Sequence, residues 1–155
     1  MAEPILEVRK LVKHFPLTRG ILLKRQVGAV RAVDGISFGL HKGETLGIVG
    51  ESGCGKSTLA KVLMNLERAT AGEVFYKGEE ISRLRGAALR AVRRNIQMVF
   101  QDPYTSLNPR MTVGDIIGEP FEIHPEVAPK GDRRKAVQDL LDVVGLNPEY
   151  INRYP

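Results

Sequence analysis

The chain has 155 residues, a formal net charge of +5 and a single cysteine. This length supports one respectable core, so one domain, or part of a larger one, is expected. The lone Cys54 excludes a disulfide framework and a paired-cysteine metal site and suits a reducing, cytoplasmic setting; Met1 to Glu7 does not read as a secretory leader, and no window approaches the roughly 18 apolar residues of a membrane span.

In chain order, Ile5 to Val12 and Ala32 to Phe38 read as strands joined by a polar, basic loop. The apolar run Thr45 to Val49 reads as a buried strand, and Ser57 to Leu66 carries apolar residues at helical spacing behind it. Glu73 to Tyr76, followed by Lys77-Gly78, reads as a strand entering a tight turn. Leu89 to Arg94 reads as a short basic helix, and Asn95 to Phe100 as an apolar strand ending at Gln101. Beyond Pro103 the character changes, because prolines at 109, 120, 125, 129 and 148 punctuate segments of helical type, chiefly Val113 to Ile117 and Arg133 to Val144. This order predicts an α/β core over residues 1–102 and part of a helical subdomain over 103–155. Basic residues gather in two separate stretches, Arg19 to Arg31 and Arg83 to Arg94, and both read as solvated faces, so no nucleic-acid partner is expected.

After the predicted strand Thr45 to Val49 and leading into the predicted helix, Gly50-Glu51-Ser52-Gly53-Cys54-Gly55-Lys56-Ser57-Thr58 fills the pattern G-x-x-x-x-G-K-[ST]. Glycines at 50, 53 and 55 permit turns closed to residues with a Cβ, so successive N–H groups can converge on phosphate oxygens at a helix N-terminus. Lys56 then reaches the β- and γ-phosphates, and the Ser57 hydroxyl is placed to coordinate Mg²⁺. A glycine-rich loop capping an ordinary helix is the plainer alternative; the strand in front and the helix behind favour the phosphate site.

The segments GESGCGKSTLAK, IQMVFQDPYTSLNPRMTVGDIIGEP and LLDVVGLNPEYINRYP together resemble the ATP-binding subunit of an ABC transporter, most closely the oligopeptide, dipeptide and nickel importer group, over about Ile5 to Pro155. The resemblance implies an α/β, P-loop NTPase-like core with N-terminal antiparallel strands, part of a parallel sheet and part of a helical subdomain. It implies ATP and Mg²⁺ as cofactors, with permease subunits and a second, homologous ATP-binding subunit as partners on the inner face of the cell membrane. The long loop between Phe15 and Ala32 is similar to that of the subunit type that pairs with a related ATPase. Carried over residue by residue, Gln101 corresponds to the Q-loop glutamine that positions water and Mg²⁺, and Phe15 to the aromatic residue that stacks on adenine, with His14 a neighbouring candidate. Asp102 to Met111 would lie near the coupling helix of a transmembrane partner. The plainer readings are a strand-terminating glutamine in a turn for Gln101 and a core phenylalanine at a strand end for Phe15.

In that family the segment resembling INRYP is followed by the signature sequence, the Walker B aspartate with its catalytic glutamate, and the switch histidine. No substitute reads clearly here: Asp102 follows an apolar run only after Gln101, Asp139 and Asp142 sit at helical spacing, and His14, His41 and His124 all come too early. The chain is expected to bind ATP without hydrolysing it alone, and to couple hydrolysis to peptide transport when the subunit is complete. A non-hydrolytic regulatory module and an unrelated P-loop enzyme stay open as alternatives. The absence of an Asn-Lys-x-Asp motif and the context of Gln101 speak against the last.

Overall fold

The computed structural model describes residues 3–19, 25–102, 106–127 and 130–155. The chain divides into two compact units, Met1–Met98 and Val99–Pro155, each with its own core.

In the first unit β1 (Leu6–Arg19) pairs antiparallel with β2 (Arg25–Leu40) on one edge and with β3 (Ala71–Tyr76) on the other. A short β4 (Glu79–Glu80) follows β3, giving the order β2-β1-β3-β4. Val8, Leu11, Val33 and Val74 are at most 2% exposed and cluster with Ile81 and with Leu59 and Val62 of helix α1 (Lys56–Leu63). Each such side chain contributes about 1.5–3 kcal/mol by leaving water. A further helix, α2 (Gly86–Arg93), rests Val92 against this core and keeps its arginines outside.

The ribbon of β1 and β2 is broken by bulges, which bend and twist the bulged strand. Val8 opposes Phe38 and Leu11 opposes Ile36, so Arg9 and Lys10 share the space of Ser37, whose hydroxyl accepts from the Lys10 N–H at 2.8 Å. Lys10 has φ 45°. Further along, Lys13 opposes Val33 while His14 opposes Arg31, which leaves Ala32 as a surplus residue on β2. Gly72 lies against the first bulge with φ 86°, and a Cβ there would stand 2.3 Å from the Lys10 carbonyl oxygen and 2.6 Å from Leu11 Cα.

Several expectations change. The polar loop expected between the first two strands is largely ribbon, since β1 runs on to Arg19 and β2 starts at Arg25; pairing from His14–Arg31 to Arg19–Arg25 satisfies the backbone. Residues 20–24 lie outside the described residues, as does Pro103. Thr45 to Val49 and Asn95 to Phe100 are not strands, and the parallel part of the expected sheet is not formed among the described residues. Both runs are apolar in the manner of strands covered on two faces, and neither has a neighbouring strand to bond with. Val49 is 94% and Val99 95% exposed as a result.

In the second unit, helices α3 (Val113–Ile123) and α4 (Arg133–Val143) and a 3₁₀ turn (Pro148–Asn152) enclose Val137, Leu141 and Ile151. Thr112 caps α3, its hydroxyl oxygen accepting from the Asp115 N–H at 3.1 Å while the Asp115 carboxylate accepts from the Thr112 N–H. Asp132 caps α4 by accepting from the N–H groups of Arg134 and Lys135. Helix α3 outruns its expected end at Ile117 and continues through Pro120, because Val113, Ile117 and Phe121 pack on the α4 side of this small core and offset the lost bond. Among the described residues no helix is long and apolar enough to cross a membrane.

The bulge contact separates two glycines of similar φ. Gly72→Ala is expected to cost about 2–4 kcal/mol in urea unfolding, from strain plus a backbone clash. Gly78→Ala, at φ 80° with open space around it, should cost only about 1 kcal/mol. Equal losses would mean that the bulge yields to a methyl group.

Candidate functional site

The glycine-rich segment closes onto the N-terminus of α1. Gly53 and Gly55 hold φ values of 82° and 101°, and the Cys54 N–H donates to the Glu51 carbonyl at 3.3 Å, so the backbone curls through residues 50–55. Gly55 is the N-cap of α1, whose first bond runs from the Leu59 N–H to the Gly55 carbonyl at 2.8 Å. No side chain caps this end, and no acidic residue lies in its first turn. Amide groups left without side-chain partners at a helix start, next to αL glycines, form a concavity suited to an anion.

Gly55 is demanded by space as well as by backbone angle, and Gly50 sits tightly against a side chain. A Cβ on Gly55 would stand 2.0 Å from the carbonyl oxygen of Ala32, and one on Gly50 would stand 2.6 Å from Cys54 Sγ. The surplus residue of β2 therefore presses its carbonyl against the last glycine of the loop. Lys56 folds back, its Nζ donating to the carbonyls of Gly50 and Glu51 at 2.7 Å each and standing 3.5 Å from Cys54 Sγ. Glu51, Ser52, Gly53, Cys54 and Ser57 are exposed, whereas Gly55, Lys56 and Thr58 are half-buried. Among the described residues no group of three or more His, Cys, Asp or Glu side chains could hold a metal. A hard cation at Ser57 would accordingly draw its other oxygen ligands from phosphate and water.

Phe15 is half-buried on β1 and opposes Val30, two residues along β2 from Ala32, or about 7 Å. Phe15 thus lies close along the ribbon to Ala32, whose carbonyl meets Gly55. The Lys13 ammonium stands 4.5 Å from the Phe15 ring centroid. His14 is committed elsewhere: its Nε2 lies 2.9 Å from Asp34 Oδ1, and this hydrogen bond, helped by Arg31, holds the Asp34 carboxyl below the usual carboxylate range. Gln101 is exposed and belongs to the second unit. Asp139, 3.7 Å from Lys135, and Asp142 are exposed charges of α4, as their spacing suggests. The sequence reading missed Ala32 and Lys13, which belong to no local motif; their roles arise from strand register.

Residues 33–154 match the family profile described as ABC transporter. The chain is 53% identical over 154 residues to the oligopeptide transport ATP-binding protein AppF of Bacillus subtilis, covering 99% of this chain and 46% of that protein. It is 49% identical over 156 residues to the oligopeptide transport ATP-binding protein OppF of the same organism, covering 100% and 48%. It is 50% identical over 154 residues to the glutathione import ATP-binding protein GsiA of Pectobacterium atrosepticum, covering 99% and 24%. The chain thus spans about half the length of these oligopeptide relatives. Its fold is similar to that of the ATP-binding cassette MJ0796 in a dimeric post-hydrolysis state bound to ADP and Pi, with a TM-score of 0.74 at 24% identity, covering 97% of this chain and 61% of that one.

Cys54 is the single cysteine, it is exposed, and its sulfur borders the loop interior. Magnesium tripolyphosphate at ten times its Kd is expected to slow maleimide alkylation of Cys54 about tenfold, in proportion to occupancy. An unchanged rate would take Cys54 out of the footprint of a bound polyphosphate.

Proposed function

The chain belongs to the ABC transporter family, and on that ground we propose that it holds ATP by its phosphates at residues 50–58, as part of the ATPase subunit of a peptide importer. The observation that carries the binding reading is the loop itself: αL glycines at 53 and 55 turn it onto the uncapped N-terminus of α1, Gly55 packs on the Ala32 carbonyl with no space for a Cβ, and Lys56 folds back over the loop carbonyls. In this reading the loop amides and the first turn of α1 bind the phosphate oxygens, and Lys56 moves its donors toward the β- and γ-phosphates. Ser57 supplies one oxygen ligand to Mg²⁺, which when bound neutralises charge across those phosphates. Phe15 offers an aromatic surface to adenine, supported by the register that sets it near Ala32. Gln101 would position water and Mg²⁺ in the complete subunit.

Hydrolysis coupled to import of a peptide-like solute is the activity we assign to the complete subunit. The names of the oligopeptide and glutathione import relatives support the solute class. A second ATP-binding subunit and membrane-embedded permease subunits are the proposed partners, with the subunit peripheral on the cytoplasmic face of the membrane. The dimeric state of the structural neighbour supports the first of these.

Calorimetric titration of the 155-residue chain with Mg-ATP tests the site. Lys56→Ala is expected to weaken binding about 10- to 100-fold, the worth of charge-assisted hydrogen bonds at 1.5–3 kcal/mol. Ser57→Ala should lose most of the gain that Mg²⁺ gives over metal-free ATP. Binding by Lys56→Ala equal to that of the unaltered chain, with both melting cooperatively, would overturn the assignment.

A further inference from the structure

We propose that Lys13 is a positioning residue for the nucleotide base, holding the Phe15 ring in the orientation in which it stacks. The proposal rests on the reading of Phe15 as the base platform and adds a residue that carries no sequence signature.

The Lys13 side chain is only 12% exposed. An ammonium so placed requires partners for its three donors. Its Nζ donates to the Arg68 carbonyl at 2.9 Å, lies 3.1 Å from Glu67 Oε2, and stands 4.5 Å from the centre of the Phe15 ring. The cation therefore covers one ring face and leaves at most the other for a stacked base.

Its anchors are tied to the phosphate loop through α1. Glu67 and Arg68 lie in the connection from α1 to β3, and the Glu67 N–H donates to the Lys61 carbonyl at 3.1 Å. Thr70 pins the backbone on both sides of Lys13, its N–H donating to the Val12 carbonyl at 2.7 Å and its hydroxyl oxygen accepting from the His14 N–H at 3.0 Å. A continuous path thus runs from the loop along α1 to Glu67, then through Lys13 to Phe15. A ring fixed this way loses less side-chain freedom when a base stacks on it.

The test compares Mg-ATP with magnesium tripolyphosphate, which shares the phosphates and lacks the base. Lys13→Met is expected to weaken Mg-ATP about three- to tenfold and to leave tripolyphosphate unchanged. Phe15→Leu should give a loss of the same kind, the double variant should lose no more than Phe15→Leu, and Lys13→Arg should restore most of the affinity. Equal weakening of both ligands, no weakening of Mg-ATP, or additive losses in the double variant would overturn the proposal. If Phe15→Leu itself leaves the ratio of the two affinities unchanged, the base-platform reading fails first. Should Lys13→Met not melt cooperatively, the half-exposed Glu67→Gln decides: a selective loss of about twofold for Mg-ATP supports the anchor, and an unchanged ratio overturns it.

Discussion

The contact between Gly55 and the Ala32 carbonyl is the constraint on which the first unit turns. At φ 101° and with no space for a Cβ, position 55 admits only glycine, and its surroundings are backbone that cannot rotate away. The loop is therefore shaped by the sheet as well as by its own sequence. Ala32 reaches Gly55 because it is a surplus residue on β2, and a strand in perfect register would not offer its carbonyl there in the same way.

Helix α1 serves two ends of the same problem. Leu59 and Val62 fasten it to the core of β1, β2 and β3, while its first turn, without acid or side-chain cap, presents the backbone toward the loop. A helix of 8 residues would not hold its shape in water on its own. Its order comes from the apolar contacts, so burial of two side chains supplies the rigidity that an anion site needs.

The phosphate loop was legible because its chemistry is local: glycines, a lysine and a hydroxyl at fixed spacing, with an apolar periodicity behind them. The helices of the second unit were legible for the same reason, although Pro120 signalled an end that the packing of Phe121 overrode. Register was not legible. The ribbon beyond His14 lacks the alternation that marks a strand, and the bulges at Lys10 and Ala32 depend on which residues of two strands meet. Thr45 to Val49 erred in the opposite direction, since an apolar run has strand character only where another strand pairs with it.

Two lysines of the first unit show how charge is apportioned. Lys13 meets a carboxylate at Glu67, so its charge is largely cancelled and its role is to hold position. Lys56 is held by two neutral carbonyls, which satisfy its donors and keep its orientation while leaving its full positive charge in place. The first turn of α1 adds no acid to offset it. An arriving phosphate then displaces weak neutral acceptors rather than an ion pair, so most of the electrostatic gain survives the exchange. A carboxylate within reach of Lys56 would have stabilised the loop and removed its purpose.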